Sequence, residues 1–150
     1  MDAVVYPNHK VIDYLSNRVV PLRLGHEAQP FAEQFKVKWT PRLFLLDDQG
    51  ESHHDGLGFF SPQELLTFLD LGQGKFLFST NHLETAADLL DQLVRENPAC
   101  GSAPEAVYLR GVARFKKTHE ASHLKEVNRI LAFDYPLTMW ANRGFPYWNL

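Results

Sequence analysis

The chain has 150 residues, 45% of them hydrophobic, with a formal charge of -3 at pH 7 and a single cysteine, Cys100. That length holds one compact core, or a small domain with a helical extension. The charge excludes the basic field that phosphate binding needs, and the lone cysteine excludes a disulfide framework, an intramolecular dithiol and any multi-cysteine zinc site.

No apolar run reaches the roughly 20 residues that a membrane span needs, and the N-terminus lacks a charged region followed by an apolar one. The expectation is a soluble, cytoplasmic chain with neither a membrane nor a nucleic-acid partner. Val11, Ile12 and Leu15 share one helical face, and Val19-Val20-Pro21-Leu22-Arg23-Leu24 then reads as a short buried strand. Phe31, Ala32 and Phe35 predict a short helix. Trp39-Thr40-Pro41 precedes an apolar run, Leu43-Phe44-Leu45-Leu46, bounded by the turn formers Asp47-Asp48-Gln49-Gly50. This predicts a β-hairpin whose second strand runs through residues 51–59. Ser61-Pro62-Gln63-Glu64 is a capping box, so a helix starts there.

The order helix, strand, helix, strand, strand, helix, with its punctuating motifs, resembles the thioredoxin fold from the end of its first helix onward. "FAEQFKVKWTPRLFLLDDQGE" and "GLGFFSPQELLTFL" carry the resemblance. Thr40-Pro41 stands where that family has its cis-proline, Gly50 in the hairpin turn, and Gly58 before the last helix. In the same register the first strand and the CxxC motif lie upstream of Met1. Placing the motif instead on Tyr6 and His9 fits the following helix and strand less well. The implied architecture is α/β: an N-terminally truncated thioredoxin-like domain at 1–72.

From residue 73 to 150 a different period takes over. Leu83, Ala86, Ala87, Leu90 and Leu93 form a helical stripe that ends at Pro98. Gly74, Ala86 and Pro98, then Gly111 and Pro136, stand at separations that resemble two divergent tetratricopeptide repeats. Small residues at Ala87, Ala106, Gly111 and Ala113 suit close helix approach. Arg110 and Arg114 depart from the repeat, which usually has apolar or aromatic side chains there. Trp140, Phe145, Tyr147 and Trp148 are expected to cap the helical stack.

The thioredoxin resemblance implies that the backbone before the cis-proline pairs with an extended substrate segment. Trp39, Thr40 and Pro41 are therefore the candidates for a peptide groove, with Trp39 as its wall. No catalytic residue, metal or cofactor is assigned. Cys100 sits in a loop far from Pro41 without an evident basic neighbour, the environment of an inert thiol. His119 and His123 have the i, i+4 spacing of two metal ligands, and His53-His54-Asp55 forms a second polar cluster. Neither has a recognisable third ligand, so both read as solvated.

Two readings follow. One is a non-redox protein-interaction module whose partner is a protein or an extended peptide. The other is a truncated thiol-disulfide oxidoreductase with its CxxC upstream. In either case the strand that the fold places centrally is missing. Unpaired buried amides cost about 1–3 kcal/mol each, so residues 2–6, closure of the flanking strands, or a strand from a second copy is expected to complete the sheet.

Overall fold

The structure, a computed structural model, describes residues 1–25 and 27–150. The chain is mixed α/β and mostly helical, with seven α-helices and one two-stranded antiparallel sheet among the described residues. It divides into two compact units, Met1–Leu66 and Thr67–Leu150. No helix among the described residues is long and apolar enough to cross a membrane.

In the first unit, α1 (His9–Arg18) starts where the Asn8 side chain accepts from the Lys10 amide at 3.0 Å, the usual N-cap bond. Its Val11 is buried, as are Val5 and Leu65. Helix α2 (Phe31–Gln34) is a single turn. It ends as Lys36 adopts a left-handed φ of 49° and the Val37 amide turns back to the Ala32 carbonyl at 2.9 Å. The hairpin follows as expected. Strands β1 (Arg42–Leu46) and β2 (Ser52–Leu57) pair antiparallel, Leu43 opposite Gly56 and Leu45 opposite His54, with a bulge between Leu45 and Leu46.

The hairpin turn is tied by one side chain. Asp47 Oδ1 accepts from the amides of Gln49 and Glu51, each at 2.9 Å, while its Oδ2 meets His53 Nε2 at 2.8 Å. The His53 bond and those two amides hold the Asp47 carboxyl below its usual range. Gly50, at φ +82°, supplies the left-handed residue that closes the turn.

Residues 19–24 do not form the expected strand. They run as irregular backbone with Val20 and Leu22 exposed, and none of their amides or carbonyls is paired within the backbone of the described residues. Strand formation needs a ladder partner as well as β-branched side chains, and Pro21 has no amide to donate. Residues 2–6 do not complete a sheet either. They fold into turns in which the amides of Val4, Val5 and Tyr6 all converge on the Met1 carbonyl. Arg23 instead reaches Asp2 with two exposed hydrogen bonds, 2.8 and 3.1 Å long.

Helix α3 (Pro62–Ser79) begins with the predicted capping box. The Glu64 amide donates to Ser61 Oγ at 3.3 Å, and the Ser61 amide donates to Glu64 Oε2 at 2.8 Å. The Ser61 bonds keep the Glu64 carboxyl below its ordinary range.

The second unit is wholly helical. Helix α4 (Leu83–Glu96) buries Ala86, Ala87, Leu90 and Leu93, the stripe read from the sequence. It packs against α5 (Ala103–Thr118), which packs against α6 (Ser122–Asp134). Two glycines set the closest approaches. A Cβ on Gly74 would stand 2.5 Å from Leu90 Cδ2, and one on Gly111 would fall inside 3.0 Å of Val127 Cγ2.

Helix α7 (Met139–Gly144) is capped by Thr138, whose hydroxyl accepts from the Ala141 amide at 3.2 Å. A 3-10 turn, Phe145–Asn149, ends the chain. The four C-terminal aromatics divide here. Trp140 and Tyr147 pack on the Val107, Val127 and Leu131 cluster, whereas Phe145 and Trp148 are exposed.

Tyr147 and Tyr108 stack at 5.8 Å and share a 2.8 Å hydroxyl bond. Burial first, and the Tyr108 bond second, push the Tyr147 hydroxyl from 10.0 up to about 12. An acid whose folded pKa is raised loses its stabilising contribution as pH climbs past the unfolded value. That contribution is thus complete below pH 10.0 and declines up to about 12. Tyr147→Phe is expected to flatten the alkaline decline of the urea midpoint across that interval; an unchanged decline would show that Tyr147 does not govern it.

Candidate functional site

The residues after α2 are held from both sides. The Phe35 and Phe44 rings lie 4.8 Å apart, fixing the end of α2 against β1. Arg42 donates from Nε at 3.1 Å and from Nη2 at 2.6 Å to Asp55 Oδ2 across the hairpin, and its guanidinium lies 5.2 Å from the Phe44 ring centre. On the other flank Gly58, at φ +105°, donates its amide to the Pro41 carbonyl at 2.9 Å. The segment 37–41 is therefore suspended between two anchors, a helix end and the first rung of the ladder.

Trp39, Thr40 and Pro41 stand together on that segment, and all three are exposed. The Thr40–Pro41 peptide is cis, at the position where the resemblance put such a bond; Gln29–Pro30 is cis as well. The Trp39 side chain is 73% exposed, although indole is among the most costly groups to leave in water. Beside it lies a hollow of about 200 Å³ lined by Val37, Lys38, Trp39 and Thr40. The lining combines an aliphatic side chain, an aromatic face, a hydroxyl and one positive charge. Such a surface has the parts to hold an extended chain carrying an apolar side chain and a negative group.

Val37 and Lys38 were not read as site residues from the sequence. The one available signal was their place immediately before Trp39 in an otherwise polar turn.

The remaining candidates lie elsewhere. His119 and His123 do not share a helix: His119 closes α5 in the left-handed region at φ 61°, and His123 lies in the first turn of α6. The i, i+4 spacing therefore spans a helix break and loses its ligand geometry. His123 faces Glu120 at 3.8 Å, and the His119 ring meets the edge of Phe115. Among the described residues no group of three or more His, Cys, Asp or Glu side chains is arranged to hold a metal ion. Cys100 is half-buried and packs against the Leu71, Leu90, Leu93 and Ala106 cluster, the surroundings of a structural thiol.

Arg110, the departure from the repeat pattern, is 8% exposed. Its Nη1 donates to Asp91 Oδ1 at 2.6 Å, and its Nη2 stands 3.7 Å from Glu126. Arg114 approaches the same Asp91 oxygen at 3.4 Å. The two arginines thereby link α4, α5 and α6 through charge. Among the described residues, Arg110 Nε is the one buried side-chain nitrogen or oxygen without a hydrogen-bond partner.

Compared with models of known protein families, with curated proteins and with solved structures, the chain matches none.

Proposed function

We propose that this chain is a protein-interaction module: a thioredoxin-like domain without redox cysteines, followed by tetratricopeptide-like helices, that binds an extended peptide along Trp39, Thr40 and Pro41. The observation that carries the reading is the exposed Trp39 at the rim of the hollow formed with Val37, Lys38 and Thr40. Large aromatics left in water on a fixed segment are the residues that most often dominate binding energy. Lys38 favours a peptide with an acidic side chain or a free carboxylate, and Trp39 favours an apolar neighbour to it.

The repeat-like part of the reading is supported by the two helix pairs that meet at glycine. Gly74 on α3 faces Leu90 on α4, and Gly111 on α5 faces Val127 on α6. Both glycines stand at the small-residue positions that the repeat resemblance singled out.

Selection from a library of displayed extended peptides, followed by affinity measurement on the purified chain, tests the proposal. Trp39→Ala is expected to weaken the selected peptides about 30-fold, the loss of ~2 kcal/mol typical of an aromatic anchor. Because Trp39 is 73% exposed, the thermal midpoint should barely move. Selected peptides that bind Trp39→Ala as well as the wild type would remove the hollow from consideration.

A further inference from the structure

A two-stranded hairpin has two free edges, and the edges of this one differ in chemistry. The bonds from the Gly58 amide to the Pro41 carbonyl and from the Asp47 amide to the Glu51 carbonyl fix the phase of the ladder. Together with the register, they direct the backbone groups of Leu43 and Leu45 toward β2 and those of Arg42, Phe44 and Leu46 outward. Among the described residues, none of these three makes a backbone hydrogen bond beyond the hairpin. Strand β2 reads Ser-His-His-Asp-Gly-Leu, the polar and glycine-bearing kind of edge that resists pairing. Strand β1 reads Arg-Leu-Phe-Leu-Leu and carries no such protection.

We propose that β1 pairs antiparallel with β1 of a second copy of this chain about a twofold axis, joining two hairpins into one four-stranded sheet. Charge selects the partner and the register. Pairing of outward groups requires even-numbered residues of one copy to oppose even-numbered residues of the other. Phe44 opposite Phe44 meets that condition but sets Arg42 against Leu46. Phe44 opposite Leu46 also meets it, with Leu45 facing Leu45 on the axis, and brings Arg42 of each copy to the far end of the other's β1, where Asp48 stands in the hairpin turn, twice by symmetry.

Both charges are available for this role. Asp48 is exposed and has no ion pair or hydrogen bond among the described residues. Arg42 engages Asp55 through Nε and Nη2 and leaves Nη1 for an acceptor across the axis. A strand with its positive charge at one end, its acid just past the other and an apolar centre is complementary to itself only when antiparallel.

Sedimentation equilibrium of the full chain from low micromolar to near-millimolar concentration is the primary test, with a concentration-dependent dimer expected. Asp48→Arg turns two facing pairs from attractive to repulsive and is expected to weaken that dimer about tenfold. In a Cys100→Ser background, Leu45→Cys is expected to form a disulfide-linked dimer on mild oxidation, and Leu43→Cys is not. A Trp39→Ala chain should dimerise like the wild type, so failure here and failure of the peptide reading are separately visible. A chain that stays monomeric throughout overturns the proposal. So does a dimer that Asp48→Arg leaves unchanged and Leu45→Cys does not cross-link.

Discussion

Asp91→Ala is expected to destabilise the helical unit by about 3 kcal/mol, the cost of leaving a buried charge without its main partner. The aspartate is one-third exposed, but the side chain it neutralises, Arg110, is 9% exposed. Taking away Asp91 leaves a guanidinium in the interior with Glu126 at 3.7 Å as its remaining acid and an Nε that is already unsatisfied. The cost lies in the stranded charge. Arg110→Met should therefore be the milder change, since it removes the charge together with its desolvation while the long apolar side chain fills much of the space. Adding Asp91→Ala to Arg110→Met should then cost little more. Urea unfolding followed by circular dichroism gives the comparison. Equal losses from the two single changes would mean that the pair acts through packing.

The second large effect is expected at Gly111. Alanine is the better helix former by about 1 kcal/mol, so a surface glycine in α5 would gain stability on replacement. At Gly111 the sign reverses. The new Cβ would fall inside 3.0 Å of Val127 Cγ2 and stand 3.2 Å from the His123 carbonyl oxygen. The valine has to move, and the backbone oxygen can do so only with its helix. Overpacking of this kind costs about 1–3 kcal/mol, which exceeds the propensity gain. The balance is a net loss of up to ~2 kcal/mol. Val127→Ala removes the first obstacle and should restore part of the loss, with a coupling of about 1 kcal/mol in the double-mutant cycle. A Gly111→Ala chain as stable as the wild type would show that α5 and α6 have room to separate.

Signals confined to a few neighbouring residues were legible in the sequence. The capping box at Ser61, the hairpin turn at Asp47 to Gly50 and the buried stripe of α4 each depend on atoms within about a turn or two of one another. Features that depend on a distant partner were not. Residues 19–24 have strand-forming side chains, yet pairing is a property of two segments, and among the described residues no second segment pairs with them. His119 and His123 keep helical spacing in the sequence, but the left-handed residue that ends α5 lies between them and their shared face.

The candidate site divides the same way. Trp39, Thr40 and Pro41, consecutive in the chain, were named from the resemblance, and all three are exposed. A groove walled by Trp39 was an expectation of the resemblance, whereas the part of Val37 and Lys38 in the lining of the hollow was not. The left-handed turn at Lys36 and the tilted packing of Phe35 on Phe44 lie next to it in the chain, and neither is a sequence pattern. Likewise, aromatic density at the C-terminus did not reveal that Trp140 and Tyr147 pack inward while Phe145 and Trp148 stay in water.

The reading of this chain as a peptide-binding module is tested most directly by nuclear magnetic resonance of the full chain, labelled with nitrogen-15 and titrated with an extended peptide that carries an apolar residue beside an acidic one. Saturable shifts centred on the Trp39 indole N–H and the Lys38 and Thr40 amides are the predicted result. Saturable binding whose shifts leave those three groups in place, or no binding by any peptide of that composition, would contradict it.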